Sequence, residues 1–439
     1  MRDASPGCVS RKFSAERGRV ELRVRRATHP NACTPERRVP AASRSDDDGG
    51  MSSSPFDDIT EDELRRIGGM KWSAHPDAIG AFVAEMDFGT SPAVLGALHE
   101  WVDGGLFGYP PSGLVEAMTQ ACADWQRDAY GWDVPVERVR PLADVLSGLS
   151  AVIELFTAPG SAIVLPTPAY MPFLTIPAVH GREVIQVPML RDDDGWHLDL
   201  DGIDRAFTNG GGLLIMCNPH NPIGKVYTRD EMLAVAEVVE RHGARVFSDE
   251  IHSPLVYPTS QHVPYASVSA AAASHTVTTT SASKAWNLPG LKCAQLILSN
   301  DRDAAAWADS RRSMTAEHGA SNPGLIANTA AYTDGRGWLA DVVAYLDGNR
   351  ALMSELVAGH LPDVRYLPPE GTYLAWLDCR ALGLGDHPAE FFLEHAKVAG
   401  TDGALCGDAG AGSVRFNLAM PRPLLRTAVE RMGAALAAR

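Results

Sequence analysis

Apolar positions in this chain repeat with two different periods, and the two alternate along its length. Leu114, Ala117, Met118, Ala121, Cys122 and Trp125 fall at i, i+3, i+4, i+7, i+8 and i+11, the stripe of an amphipathic helix. Short apolar runs follow at 162–165, 184–187, 213–217, 245–248, 275–280 and 295–298, and these predict buried strands. Strands interleaved with helical patterns predict an α/β fold on a mostly parallel, doubly wound sheet. The runs that open at Leu213, Arg245 and His275 each end in polar side chains able to do chemistry. Open α/β sheets bind ligands just beyond the carboxyl ends of their strands, so one cleft is predicted to collect all three.

Residues 1–50 carry no such periodicity and close on Ser43-Arg44-Ser45-Asp46-Asp47-Asp48-Gly49-Gly50. Such a stretch has too little apolar surface to offset the entropy of ordering, so a disordered basic leader is expected there. Fold reasoning therefore begins at Met51. Charge divides at the same place. The chain is −15 overall, yet eleven Lys and Arg against four acidic residues make the first 45 residues +7 and leave −22 for the rest. An acidic body argues against nucleic acid or an anionic membrane as partner. Seven scattered cysteines, none at CxxC spacing and none beside a histidine cluster, argue against a disulfide framework and against a metal site. With no apolar run of roughly 18–20 residues, a membrane span is not expected and a cytoplasmic location is.

The strand ends carry the chemistry. The run ending at Thr280 leads into Ser281-Ala282-Ser283-Lys284, an amine flanked by small hydroxyls. The run ending at Ser248 leads into Asp249-Glu250-Ile251-His252, and the run ending at Cys217 into Asn218-Pro219-His220-Asn221-Pro222-Ile223-Gly224. Taken singly, these read equally well as a solvated loop, a helix cap and a tight turn. Together and in this order they offer what pyridoxal 5′-phosphate (PLP) needs: a lysine for the aldehyde, an acid for the pyridine nitrogen and donors for the phosphate.

In that ensemble the chain resembles the fold-type I PLP-dependent aminotransferase superfamily, and within it the cystathionine β-lyase branch of MalY/PatB type. The likeness runs from about Met70 to the C-terminus. It includes Ala84-Glu85-Met86-Asp87-Phe88, Phe107-Gly108-Tyr109, the stretch from Pro168 to Phe173, the stretch from Glu370 to Asp378, and the stretch from Val414 to Ala419. The resemblance implies that Lys284 is the Schiff-base lysine, Asp249 the pyridinium partner, Asn221 the ligand of the ring oxygen and Tyr170 the face beneath the ring. It further implies a phosphate cup of Ser147, Gly148, Leu149, Ser281, Ser283 and Lys292, with Tyr109 reaching in from the second subunit of a homodimer. Arg415 would clamp the substrate carboxylate, its planar fork suiting that task. His252 would border the cofactor, whereas His220 reads equally as a structural histidine.

The implied activity is β-elimination of cystathionine or a related cysteine S-conjugate, a small amino-acid substrate, to pyruvate, ammonia and a thiol. An aminotransferase using the same residues is the alternative, and a regulator that senses an effector through a PLP fold is a remote one. Departures from the branch pattern at Glu85, Lys225, Ser253-Pro254 and Ser150-Ala151 bear on substrate preference and leave these groups in place. The expected architecture is a large PLP-binding domain over 94–322 and a smaller α/β domain assembled from 51–93 and 323–439.

Overall fold

The computed structural model of the chain describes residues 54–192 and 195–439. The leader expected at 1–50 lies outside the described residues. Seven strands form the main sheet: β1 (Val139–Leu142), β2 (Ala162–Thr167), β3 (Val184–Pro188), β4 (Gly211–Cys217), β5 (Arg245–Asp249), β6 (Thr276–Thr280) and β7 (Ala294–Leu298). Their spatial order is β1-β7-β6-β5-β4-β2-β3, parallel from β6 to β3, with β7 antiparallel to both its neighbours. All six predicted runs are strands. The one beginning at His275 starts a residue later, because His275 closes a short helix instead.

Alternation along these strands sends side chains to two separate cores, as helices on both faces require. Ile163, Leu213, Ile215 and Phe247 pack on one side with Val152 and Ile153 of α3 (Val145–Phe156). Val164, Leu214, Met216 and Val246 pack on the other with Val235 and Val239 of α4 (Arg229–His242). Each fully buried residue of this kind stabilises the fold by roughly 1.5–3 kcal/mol before entropy is counted. The predicted amphipathic helix is α2 (Ser112–Tyr130), which follows α1 (Pro92–Gly104); both pack on α5 (Asn322–Thr333).

A second, antiparallel sheet comes from the last third of the chain. It holds β8 (Arg365–Tyr366), β9 (Leu374–Asp378), β10 (Thr401–Asp402) and β11 (Ser413–Asn417) in the order β8-β9-β11-β10. Helices α6 (Arg336–His360) and α7 (Arg422–Ala437) pack against each other in the same region. A short extended segment near residue 80 pairs Ile79 and Gly80 in parallel with Val398 and Ala399. No helix among the described residues is long and apolar enough to cross a membrane.

Candidate active site

Register brings the chemistry together. Cys217, Asp249 and Thr279 lie side by side on β4, β5 and β6, so the three strands stop at one edge and their following loops converge. Backbone bonds from Asn218 N to Asp249 O and from Glu250 N to Thr279 O carry the alignment one residue further. Against this edge lies a cavity of about 190 Å³ lined by Tyr170, Asn221, Asp249, His252, Ser283, Lys284 and Lys292. A larger cavity of about 430 Å³ adjoins it, and Ala84, Tyr170 and Lys284 line both. Arg415, from β11, lines the larger one.

Burial sets the charge states. The Asp249 carboxyl is pushed up to about 7, chiefly by loss of solvent, and only partly drawn back by the Ile251 amide, which donates to its Oδ1 at 3.1 Å. The Lys284 amine is brought down to about 8 by burial first and by the Arg415 guanidinium second. Its Nζ donates to the Ala84 carbonyl at 2.8 Å, which also accepts from the Tyr373 hydroxyl at 2.9 Å. His252 is held well below the usual imidazole range by burial, and its Nδ1 has no partner among the described residues. Arg415 donates to Asn221 Oδ1 at 3.2 Å, to the Phe82 carbonyl at 2.7 Å and to Thr401 Oγ1 at 3.1 Å; its buried Nε is unpaired.

A PLP molecule suits this donor set. A buried carboxylate with little compensation seeks a cation, an amine of lowered basicity is ready to meet an aldehyde, and the flat side chain of Tyr170 stands between both cavities. Not all the residues expected around a phosphate line this cavity. Helix α3 begins at Val145, capped by Asp144, whose Oδ1 accepts from Ser147 N at 2.9 Å. The amides left free by helix geometry are therefore those of Val145 and Leu146, which line the smaller cavity together with Ala143 and Asp144. Ser147, Gly148 and Leu149 do not line that cavity: the Ser147 hydroxyl donates back to Asp144 O, Gly148 sits against Thr279 and Leu142, and Leu149 is buried in the core. Ser281 is also turned away, donating to the Cys293 carbonyl and accepting from Ser283 N, so it braces the loop. Lys292 lines the cavity and pairs with Asp144 at 3.0 Å. Tyr109 lines neither cavity and is 94% exposed. His220 is structural, with one ring nitrogen on the Tyr227 hydroxyl and the other on the Pro168 carbonyl.

The sequence marks Ala84 to Phe88 as a motif but gives the segment from Phe82 to Met86 no role at the site. Its carbonyls are gripped from both sides: Val83 O and Glu85 O by the Asn417 amide, both at 2.6 Å, and Met86 O by Asn287 at 2.9 Å. These residues act through backbone oxygen, which no side-chain motif announces. The Asp144 cap had a readable signal, an aspartate directly ahead of an apolar run with a serine three residues on.

The chain is similar over most of its length to known proteins. The family model described as aminotransferase class I and II matches residues 80–432. The cystathionine beta-lyase of Corynebacterium glutamicum is 38% identical over 380 residues, covering 85% of this chain and 98% of that protein. The cystathionine beta-lyase PatB of Bacillus subtilis is 32% identical over 362 residues, covering 82% and 93%. The crystal structure of the PLP-bound C-S lyase from Staphylococcus hominis superposes with a TM-score of 0.79 at 25% identity, covering 89% of this chain and all of that one.

Proposed function

We propose, from the premise that this chain belongs to the class I and II aminotransferase family and to its cystathionine β-lyase branch, that it is a PLP-dependent carbon–sulfur β-lyase. Its reaction is the β-elimination of cystathionine or a related cysteine S-conjugate to pyruvate, ammonia and a thiol. The observation that carries this reading is the meeting of two cavities at Lys284, with Asp249 lining one and Arg415 the other.

Asp249 would hold the pyridine nitrogen of PLP, Asn221 the ring oxygen and Tyr170 a ring face, with His252 alongside. The Val145 and Leu146 amides, Ser283 and Lys292 would hold the phosphate. Bound there, PLP supplies an electron sink for the charge left when a proton departs from the substrate Cα. Arg415 receives the α-carboxylate, and its contacts with Phe82, Thr401 and Asn221 fix the guanidinium before substrate arrives. Lys284, an amine whose basicity burial has brought near neutral pH, takes the Cα proton. Electrons from that bond expel the sulfur from Cβ as a thiolate, which takes the proton held by Lys284 and leaves as the thiol through the larger cavity, and water converts the remaining skeleton to pyruvate and ammonia.

The reading extends to a cytoplasmic homodimer in which Tyr109 of each subunit completes the partner's phosphate cup. The exposure of Tyr109 and Phe107 supports it, as do five buried free cysteines. It also includes a large domain over 94–322 and a small one from 51–93 and 323–439. The deciding assay follows pyruvate, ammonia and thiol from L-cystathionine and L-cystine, beside a Lys284→Ala variant. Equal release of the products by the parent, lost in the variant, is expected. Conversion of an amino acid only when a keto acid is supplied would make the protein an aminotransferase instead.

A further inference from the structure

The Lys284 amine rests on an oxygen that it shares. Ala84 O accepts from Nζ at 2.8 Å and from the Tyr373 hydroxyl at 2.9 Å. The neighbouring carbonyls are held without Tyr373: Phe82 O by Arg415 and Thr401, Val83 O and Glu85 O by Asn417, and Met86 O by Asn287. The direction of Ala84 O is therefore set by the rest of its segment, and what Tyr373 decides is how many donors that oxygen carries. Tyr373 is fully buried and lines neither cavity. Its carbonyl accepts from Leu418 N at 2.9 Å, and its ring stands edge-on to His252 with centroids 5.8 Å apart, so the hydroxyl has a fixed aim. Burial first, and Glu85 second, push that hydroxyl well above the usual phenol range, so it stays a donor across neutral pH.

An amine at rest on a carbonyl must leave it before it can take a proton from Cα. A carbonyl oxygen has two lone pairs, and a neutral donor on one of them drains charge from the other. The second donor is then held less firmly, an ammonium most of all, and in a low-dielectric interior the difference is strongly felt. Of the charged groups around Nζ, Arg415 opposes the ammonium, Glu85 and Asp249 favour it, and burial holds His252 neutral. Lys292 and Asp144, which also line the smaller cavity, pair with each other. Loss of the Tyr373 hydroxyl would leave all of these in place and strengthen only the grip of Ala84 O.

We propose that Tyr373 is a positioning residue for Lys284, acting through the Ala84 carbonyl: its hydroxyl occupies part of that oxygen and keeps the hold on Nζ weak enough for the amine to leave for the two cavities. This rests on the β-lyase reading above only in taking Lys284 as the base at Cα. In Tyr373→Phe the ring still fills its place and the hydroxyl alone is lost. Tyr332→Phe is the control, since Tyr332 is as deeply buried, donates to Gln295 Oε1 at 2.9 Å and lines neither cavity. Acylation of Lys284 in the full chain freed of cofactor, followed by mass spectrometry, reaches half its limiting rate near pH 8 in the parent. That midpoint should rise by about half a unit or more in Tyr373→Phe and stay in place in the control. Tyr373→3-fluorotyrosine, a stronger donor in the same fold, should lower it. In the loaded enzyme, kcat for pyruvate release from L-cystathionine should fall about threefold near pH 7 in Tyr373→Phe, recover above about pH 9, and leave KM within about twofold. A midpoint that stays with the parent's, or rises equally in the control, overturns the proposal, as does a raised midpoint with kcat unchanged in an enzyme that does release pyruvate. If the parent releases no pyruvate while the midpoint moves in Tyr373→Phe alone, the β-lyase reading falls and the shared hold on Lys284 stands.

Discussion

At the scale of single residues, the site is governed by what water has been removed from. Asp249 is raised to about 7 and Lys284 lowered to about 8, both chiefly by burial, so each sits far from its value in an unfolded chain. The signs differ. A carboxyl with a raised folded pKa contributes stability that is present below about pH 4 and lost as pH climbs through 7; an amine with a lowered one costs stability below 8, a cost that fades toward pH 10.5. For cofactor-free protein, the urea stability of the parent minus that of Asp249→Asn should therefore fall between pH 4 and 7, by up to about 4 kcal/mol. A flat difference would mean that the carboxyl is solvated. Acylation of Lys284 in the same protein, followed by mass spectrometry, should reach half its limiting rate near pH 8. A midpoint above pH 10 would show an amine in contact with bulk water.

Elements set those residues in place, and the sequence reveals some elements better than others. Strands β2, β4, β5 and β6 are legible because buried parallel strands are nearly continuous apolar or β-branched runs, and the ends of β4, β5 and β6 announce Asn221, Asp249 and Lys284. The proposed phosphate cup begins two residues earlier than the resemblance implies, because Val145 and Leu146 extend the apolar run of α3, while what the proposal draws on is their free amides. The motif that begins at Ala84 is visible in the sequence, but what the segment 82–86 does is not, since it works through carbonyls. Its importance can be measured. Asn417→Ala removes two donors to Val83 O and Glu85 O and the acceptor of Ala419 N, and should cost roughly 3 kcal/mol in urea unfolding. A loss below about 0.5 kcal/mol would show that water replaces these bonds. Gly224, at φ +73°, closes the turn that carries Asn221, and a Cβ there would run into the Pro369 ring. Gly224→Ala should lower stability by more than about 1 kcal/mol and weaken PLP retention; unchanged retention would separate that turn from the cofactor.

For the molecule as a whole, the surface around Phe107 and Tyr109 predicts association. Phe107 is 68% exposed and Tyr109 94%, beside Val102 and Leu106, which are also exposed. Sedimentation should give a dimer for the parent, and Phe107→Asp should shift it toward monomer with a parallel loss of PLP and activity; a monomeric parent with full activity would remove the shared site. The grip on segment 82–86 also bears on how the enzyme comes into being. Phe82 O receives Arg415, a residue 333 positions later, and Val83 O receives Asn417, 334 positions later. At a synthesis rate of about 5–20 residues per second, the early strap must wait roughly 17–67 seconds before its partners exist. The ribosome thus finishes almost the entire polypeptide before the two cavities can close, so a transcript broken ahead of codon 415 yields a product without the proposed substrate clamp, however well its central sheet has formed.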